Sequence, residues 1–128
     1  MLGVDTIVVL DGGVFGKPAD AAEARATLAA LAGRSHTVLS GVCVVEPGGA
    51  AAPRTALAST RVRFRALDAA TLDWYVGTGE WEGRAGGYAI QGRGAALVGA
   101  IEGDYLNVVG LPVPALLDLL PAILQEAR

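Results

Sequence analysis

Two residues near the start of the chain carry the chemistry that its opening stretch could perform. Asp5 lies on the β-branched run Gly3-Val4-Asp5-Thr6-Ile7-Val8-Val9-Leu10, and Lys17 is held between Gly16 and Pro18. Asp11-Gly12-Gly13 supplies a turn between them, so a carboxylate and an ammonium come back near one another, a pair suited to handling phosphate. Side chains alternate along a strand, which sets Asp5, Ile7 and Val9 against Val4, Thr6 and Val8. Asp5 and Thr6 are therefore expected on opposite sides unless the strand bulges or ends there. An unpaired carboxylate is costly to bury on an apolar strand, which points to a cleft, an ion or a hydrogen-bonded strand end. Plain exposure is the other reading, and Gly-Lys-Pro is also an ordinary surface turn.

The elements that must position this pair follow in order. Asp20 to Leu31 reads as a helix, with Asp20 as N-cap, Glu23 three residues on, an apolar stripe of Ala24, Leu28 and Leu31, and Gly33 as its stop. His36–Glu46 and Arg54–Leu67 read as two strands, joined by the loop Pro47–Pro53 and expected to pair antiparallel. In the second of them Thr60, Val62, Phe64 and Ala66 alternate with Arg61, Arg63 and Arg65. That arginine row is either a solvated face or a surface for phosphates or a partner's carboxylates.

Asp68 caps a helix through Leu72, Trp74, Tyr75 and Val76 that Gly77 or Gly79 stops. The glycine-dense stretch from Glu80 to Gly94 is the least regular part. Its Gln91 can donate and accept at once, as reading a base edge requires, or can simply satisfy a turn. Ala95–Ile101 and Tyr105–Val109 read as short apolar segments, the second expected to pair in the sheet. A final helix from Pro114 is expected to bury Leu116, Leu117, Leu120, Ile123 and Leu124, with Pro121 kinking it. The class is α/β, with mixed α+β character and a mixed sheet.

The chain has 128 residues, 52% of them hydrophobic, a length that suits a single domain spanning 1–128 with a real core. A net charge of -3 argues against neutralising nucleic-acid phosphates as its main business, so no stable nucleic-acid complex is expected. No run of eighteen apolar residues and no signal-peptide pattern is present, so a soluble, cytoplasmic chain without membrane attachment is expected. The single cysteine, Cys43, is expected as a buried structural thiol. With one cysteine and one histidine, any metal would be a hard ion on oxygen ligands, such as Mg²⁺ or Mn²⁺.

In this order and spacing, Gly3-Val4-Asp5-Thr6, Gly16-Lys17-Pro18, Thr60-Arg61-Val62-Arg63-Phe64-Arg65, Arg84-Ala85-Gly86-Gly87-Tyr88-Ala89-Ile90-Gln91-Gly92, Gly103-Asp104-Tyr105 and Asn107-Val108-Val109-Gly110-Leu111-Pro112 resemble the Maf nucleotide pyrophosphatases. That family is related to the inosine-triphosphate pyrophosphatases. The resemblance implies a central twisted sheet flanked by helices, a homodimer, and cleavage of a nucleoside triphosphate to the monophosphate and pyrophosphate with a divalent cation. It implies that Asp5 is the catalytic carboxylate, as base or as metal ligand, and that Lys17 meets the phosphate chain. Thr6 and Gln91 match positions associated with base preference, and the pattern is similar to the branch acting on dTTP and UTP. A hydroxyl and an amide can satisfy the carbonyls and N–H of a pyrimidine edge.

Family members carry a further N-terminal stretch with a strand, a helix and a Ser-x-Ser-Pro-Arg-Arg phosphate loop, which this sequence lacks. A misplaced start, a fragment and a shortened protein are the alternatives. In a shortened protein Arg61, Arg63 or Arg84 would have to supply the missing guanidinium groups, and a weak or inactive nucleotide-binding or interaction module is the alternative to an enzyme.

Overall fold

Alternation in the two central strands decides which side of the sheet is covered. In the computed structural model, which describes residues 2–45 and 52–119, β3 (Ser35–Val44) buries His36, Val38, Ser40, Val42 and Val44. β4 (Arg54–Phe64) buries Thr60, Val62 and Phe64 on the same face, while Arg61 and Arg63 stand exposed on the other. The two strands form the expected antiparallel pair, from Ser35 opposite Arg63 to Val44 opposite Arg54. β4 stops at Phe64 rather than at Leu67, and the exposed Arg65 donates instead to the Ala96 carbonyl.

β1 (Leu2–Leu10) pairs with β3 along nearly its whole length. On its other side β2 (Gly13–Phe15) covers only Val8 to Leu10. The turn between them uses Asp11 and Gly12, both at positive φ (+50° and +78°), the backbone twist that a two-residue hairpin demands. With β5 (Val98–Glu102) beside β4, the order is β2-β1-β3-β4-β5. The α/β class is the expected one. Every pairing among the described strands is antiparallel, where the sequence pattern suggests a mixed sheet; direct chain reversals account for β1–β2 and β3–β4, and the connections through helices return β3 beside β1 and β5 beside β4 antiparallel as well.

The covered face takes two helices. In α1 (Ala21–Leu31) the Asp20 carboxylate accepts from the Glu23 N–H at 2.8 Å, and Ala24, Thr27, Leu28 and Leu31 turn inward at helical spacing. In α2 (Ala69–Gly77) Asp68 caps Thr71 in the same way, and Leu72 and Tyr75 are buried. Leu28, Leu31, Leu72 and Tyr75 meet Val8, Val38, Val62 and Phe64 in one core. Each fully buried leucine contributes about 1.5–3 kcal/mol of burial.

Tyr105–Val109 is a helix, α3, and not the strand its apolar run suggests; the strand beside β4 is Val98–Glu102. The reversal has a local cause. Gly103 takes φ +123°, Asp104 accepts from the Leu106 N–H at 2.9 Å, and the turn of helix so nucleated drives Asn107 inward. Asn107 is fully buried, its amide donating to the Val38 carbonyl at 3.1 Å and to the Thr60 hydroxyl at 3.0 Å. Thr60 in turn donates to the Asp104 carbonyl, so α3 is latched to both central strands.

In α4 (Val113–Leu119) Leu116 and Leu117 are half-buried. Leu120, Pro121, Ile123 and Leu124, like Pro47 to Ala51, lie outside the described residues. Cys43 is half-buried rather than buried, because it alternates onto the uncovered face. Among the described residues no helix is long and apolar enough to cross a membrane.

Asn107→Ala should remove both amide hydrogen bonds and lower stability by about 1–3 kcal/mol, read as a drop in the urea midpoint. An unchanged midpoint would mean that the latch contributes nothing to folding.

Candidate active site

Asp5, Thr6 and Lys17 line one pocket of about 210 Å³, together with Arg84 and Tyr88 from the glycine-dense loop and Val108 to Gly110 at the end of α3. Asp5, Lys17 and Arg84 are exposed and Thr6 is half-buried. Although Asp5 and Thr6 alternate in direction along β1, both reach this pocket. Among the described residues β1 lacks a strand partner beside residues 2–7 on the side away from β3, which leaves that edge open to the pocket.

The glycine turn brings Lys17 back as the sequence suggests. Gly16 accepts a backbone hydrogen bond from Gly86 at 3.1 Å, and Pro18 is buried beneath Gly87. Gly86 itself has φ +73°, and a Cβ there would stand 2.7 Å from Val8 Cγ2. Only glycine lets the loop lie this close to β1, and that approach sets Arg84 and Tyr88 beside Asp5.

Tyr88 is fixed from below. Its hydroxyl shares a 2.7 Å hydrogen bond with His36 Nε2, and the His36, Phe64 and Tyr88 rings meet edge to face with centroids 4.8–5.5 Å apart. Burial pulls the His36 pKa from 6.5 down to about 4, so the imidazole is neutral. Burial also raises the Tyr88 hydroxyl above its ordinary value, keeping it protonated.

The far end of the loop hangs on Glu80. Its carboxylate accepts from the Tyr75 hydroxyl at 3.0 Å, from Gly94 N–H at 3.0 Å and from Arg93 N–H at 3.1 Å. Partial burial opposes its charge, but those Gly94 and Arg93 donors outweigh it and hold the carboxyl below its usual range. Gln91 sits on the segment so fastened, exposed and outside the lining of the Asp5 pocket.

Of the arginines that could stand in for a phosphate loop, Arg84 lines the pocket. Arg61 and Arg63 line a separate groove with Ser35 and Glu102 on the uncovered face. Sequence reasoning names Arg84 only as one of three and passes over Glu80, Tyr88 and Ser40. The strand register alone could have found Ser40, since it stands directly opposite Thr6.

One carboxylate, two cations and a hydroxyl around a small cavity can hold a polyphosphate and activate water beside it. Residues 1–123 match the family described as Maf-like protein, and the chain belongs to that family. It is 53% identical over 122 residues to a dTTP/UTP pyrophosphatase of Anaeromyxobacter sp. (strain Fw109-5), with 94% of this chain and 60% of that protein covered. It is 52% identical to one from Symbiobacterium thermophilum and 45% identical to one from Pyrococcus furiosus, each over 120 residues, covering 94% of this chain and 60% and 62% of those proteins. The chain thus spans about 60% of the length of these curated relatives.

The buried imidazole makes stability depend on pH. His36 binds its proton more weakly folded (about 4) than unfolded (6.5), so its contribution is complete above pH 6.5 and is lost as pH falls towards 4, about 3 kcal/mol in all. Denaturation midpoints should fall between pH 6.5 and 5 in the parent chain and stay flat over that window in His36→Leu. A slope that survives the substitution would have another source.

Proposed function

We propose that the chain is a nucleoside triphosphate pyrophosphatase of the dTTP/UTP type, acting on normal or modified pyrimidine nucleotides. The observation that carries this reading is the meeting of Asp5, Lys17 and Arg84 on one pocket. Three relatives at 45–53% identity bear the name dTTP/UTP pyrophosphatase, which supports the base class. Water adds across the α–β phosphoanhydride, giving the nucleoside monophosphate and pyrophosphate.

Lys17 and Arg84 neutralise the phosphate chain and hold it against β1, where charge developing on the leaving pyrophosphate meets two cations. Asp5 orients the water and takes its proton as general base. As the one carboxylate lining the pocket among the described residues, Asp5 is also the residue that would hold a Mg²⁺ or Mn²⁺ ion. A lone carboxylate fits such an ion, which keeps several waters and takes other ligands from phosphate oxygens. When bound, the ion supplies further neutralisation of the triphosphate.

Thr6 reads the base edge from within the pocket, and Gln91 contributes from the neighbouring loop when nucleotide is bound. On the strength of the family resemblance, the protein works in the cytoplasm as a homodimer.

The same pocket would also serve a second reading, nucleotide binding without turnover. Pyrophosphate release from dTTP, UTP, 7-methyl-GTP and ATP with Mg²⁺ or Mn²⁺ separates the two. Turnover of dTTP and UTP is expected, reduced about 10²–10⁴-fold in Asp5→Asn and about 10²–10³-fold in Arg84→Ala. Folded protein that binds dTTP without releasing pyrophosphate would establish the second reading, and full activity in Asp5→Asn would remove its role as base.

A further inference from the structure

Ser40 is fully buried on β3, directly opposite Thr6, and their hydroxyl oxygens lie 2.8 Å apart. Each hydroxyl has one hydrogen to give and can also accept. Among the described residues, Thr6 is the hydrogen-bond partner that the Ser40 hydroxyl has. If Thr6 donated to Ser40, the Ser40 hydrogen would be left buried with nothing to receive it, the costly arrangement. If Ser40 donates, both demands are met, because the half-buried Thr6 lines the pocket and its own hydrogen is free for whatever enters.

We infer that Ser40 is a positioning residue that fixes Thr6 as a hydrogen-bond donor into the pocket, so that the pocket selects a nucleobase presenting a carbonyl oxygen there over one presenting an amino group. This rests on the pyrimidine-nucleotide reading above and deepens it. Uracil and thymine carry a carbonyl where cytosine carries an amino group, which can use only the lone pair left on the Thr6 oxygen and leaves the Thr6 hydrogen without a partner, the costlier arrangement. The selection acts through hydrogen-bond polarity rather than shape, since the two ring systems are nearly isosteric.

The test is calorimetric binding of the α,β-imido analogues of dTTP and dCTP to the full chain and to Ser40→Ala, Ser40→Thr and Thr6→Val. The parent chain should prefer the thymidine analogue. Ser40→Ala should reduce that preference about tenfold, the worth of one hydrogen bond, and Ser40→Thr, which keeps the hydroxyl, should retain it. If Thr6→Val loses the preference while Ser40→Ala keeps it, Thr6 reads the base unaided and the role of Ser40 is overturned. If neither analogue binds, or Thr6→Val leaves the preference untouched, the base-reading assignment itself fails. The polarity is then decided by hydroxyl-proton NMR on the unliganded chain. A slowly exchanging Ser40 hydroxyl proton beside a fast-exchanging Thr6 one is expected, and the reverse would overturn the inference.

Discussion

The pocket exists because no side chain stands between residue 86 and Val8. At 2.7 Å from Val8 Cγ2, even a methyl group on Gly86 would push the loop off β1, and its φ of +73° disfavours any L side chain there in the first place. The same contact carries the Gly86–Gly16 backbone hydrogen bond, so it fixes two pieces at once: the turn that holds Lys17 and the loop that holds Arg84. Neither cation lies on the strand that carries Asp5, and each depends on this one close approach to reach it. The glycine density of the stretch is thus partly a steric requirement of the site.

Around that contact the molecule places its polar interior groups where they brace the pocket walls. His36, Ser40 and Thr60 share the covered face of β3 and β4, and each leads outward to a lining element. His36 holds Tyr88, Ser40 holds Thr6, and Thr60 with Asn107 holds α3, whose end supplies Val108 to Gly110. A polar group in the core is costly without a partner and therefore admits few arrangements. A purely apolar core would bury as much surface but would let these walls slide. Two atoms, His36 Nδ1 and Asn107 Oδ1, lack hydrogen-bond partners among the described residues.

Features governed by short-range rules were legible in the sequence. Asp20 and Asp68 cap their helices where the spacing places them, Gly33 ends the first helix, and the Asp11-Gly12 turn returns Lys17 to Asp5. The alternation of Thr60, Val62 and Phe64 with the arginines assigns both faces of β4 correctly. What escaped depends on contacts distant in sequence. Tyr105-Leu106-Asn107-Val108-Val109 is apolar enough for a strand, and it is helical because Asp104 caps it and Asn107 finds Val38 and Thr60 across the core. The ranking of the arginines has the same origin. The sequence offers Arg61, Arg63 and Arg84 alike, and strand alternation carries the first two to the uncovered face while Arg84 is delivered by the glycine contact.

The distribution of charge completes the functional logic. The pocket's charged groups, Asp5, Lys17 and Arg84, are exposed, whereas the groups that position its walls are neutral when folded: His36 is held uncharged by burial, and Ser40, Thr60 and Asn107 carry no charge. Charge is thereby kept at the exposed pocket and withheld from the core, where it would have to be desolvated. Under the proposed reading, a triphosphate would be gripped by the long side chains of Lys17 and Arg84, while the base would be met by the short Thr6 hydroxyl paired with Ser40. Affinity and selectivity would then reside on different residues of the same strand-and-loop frame.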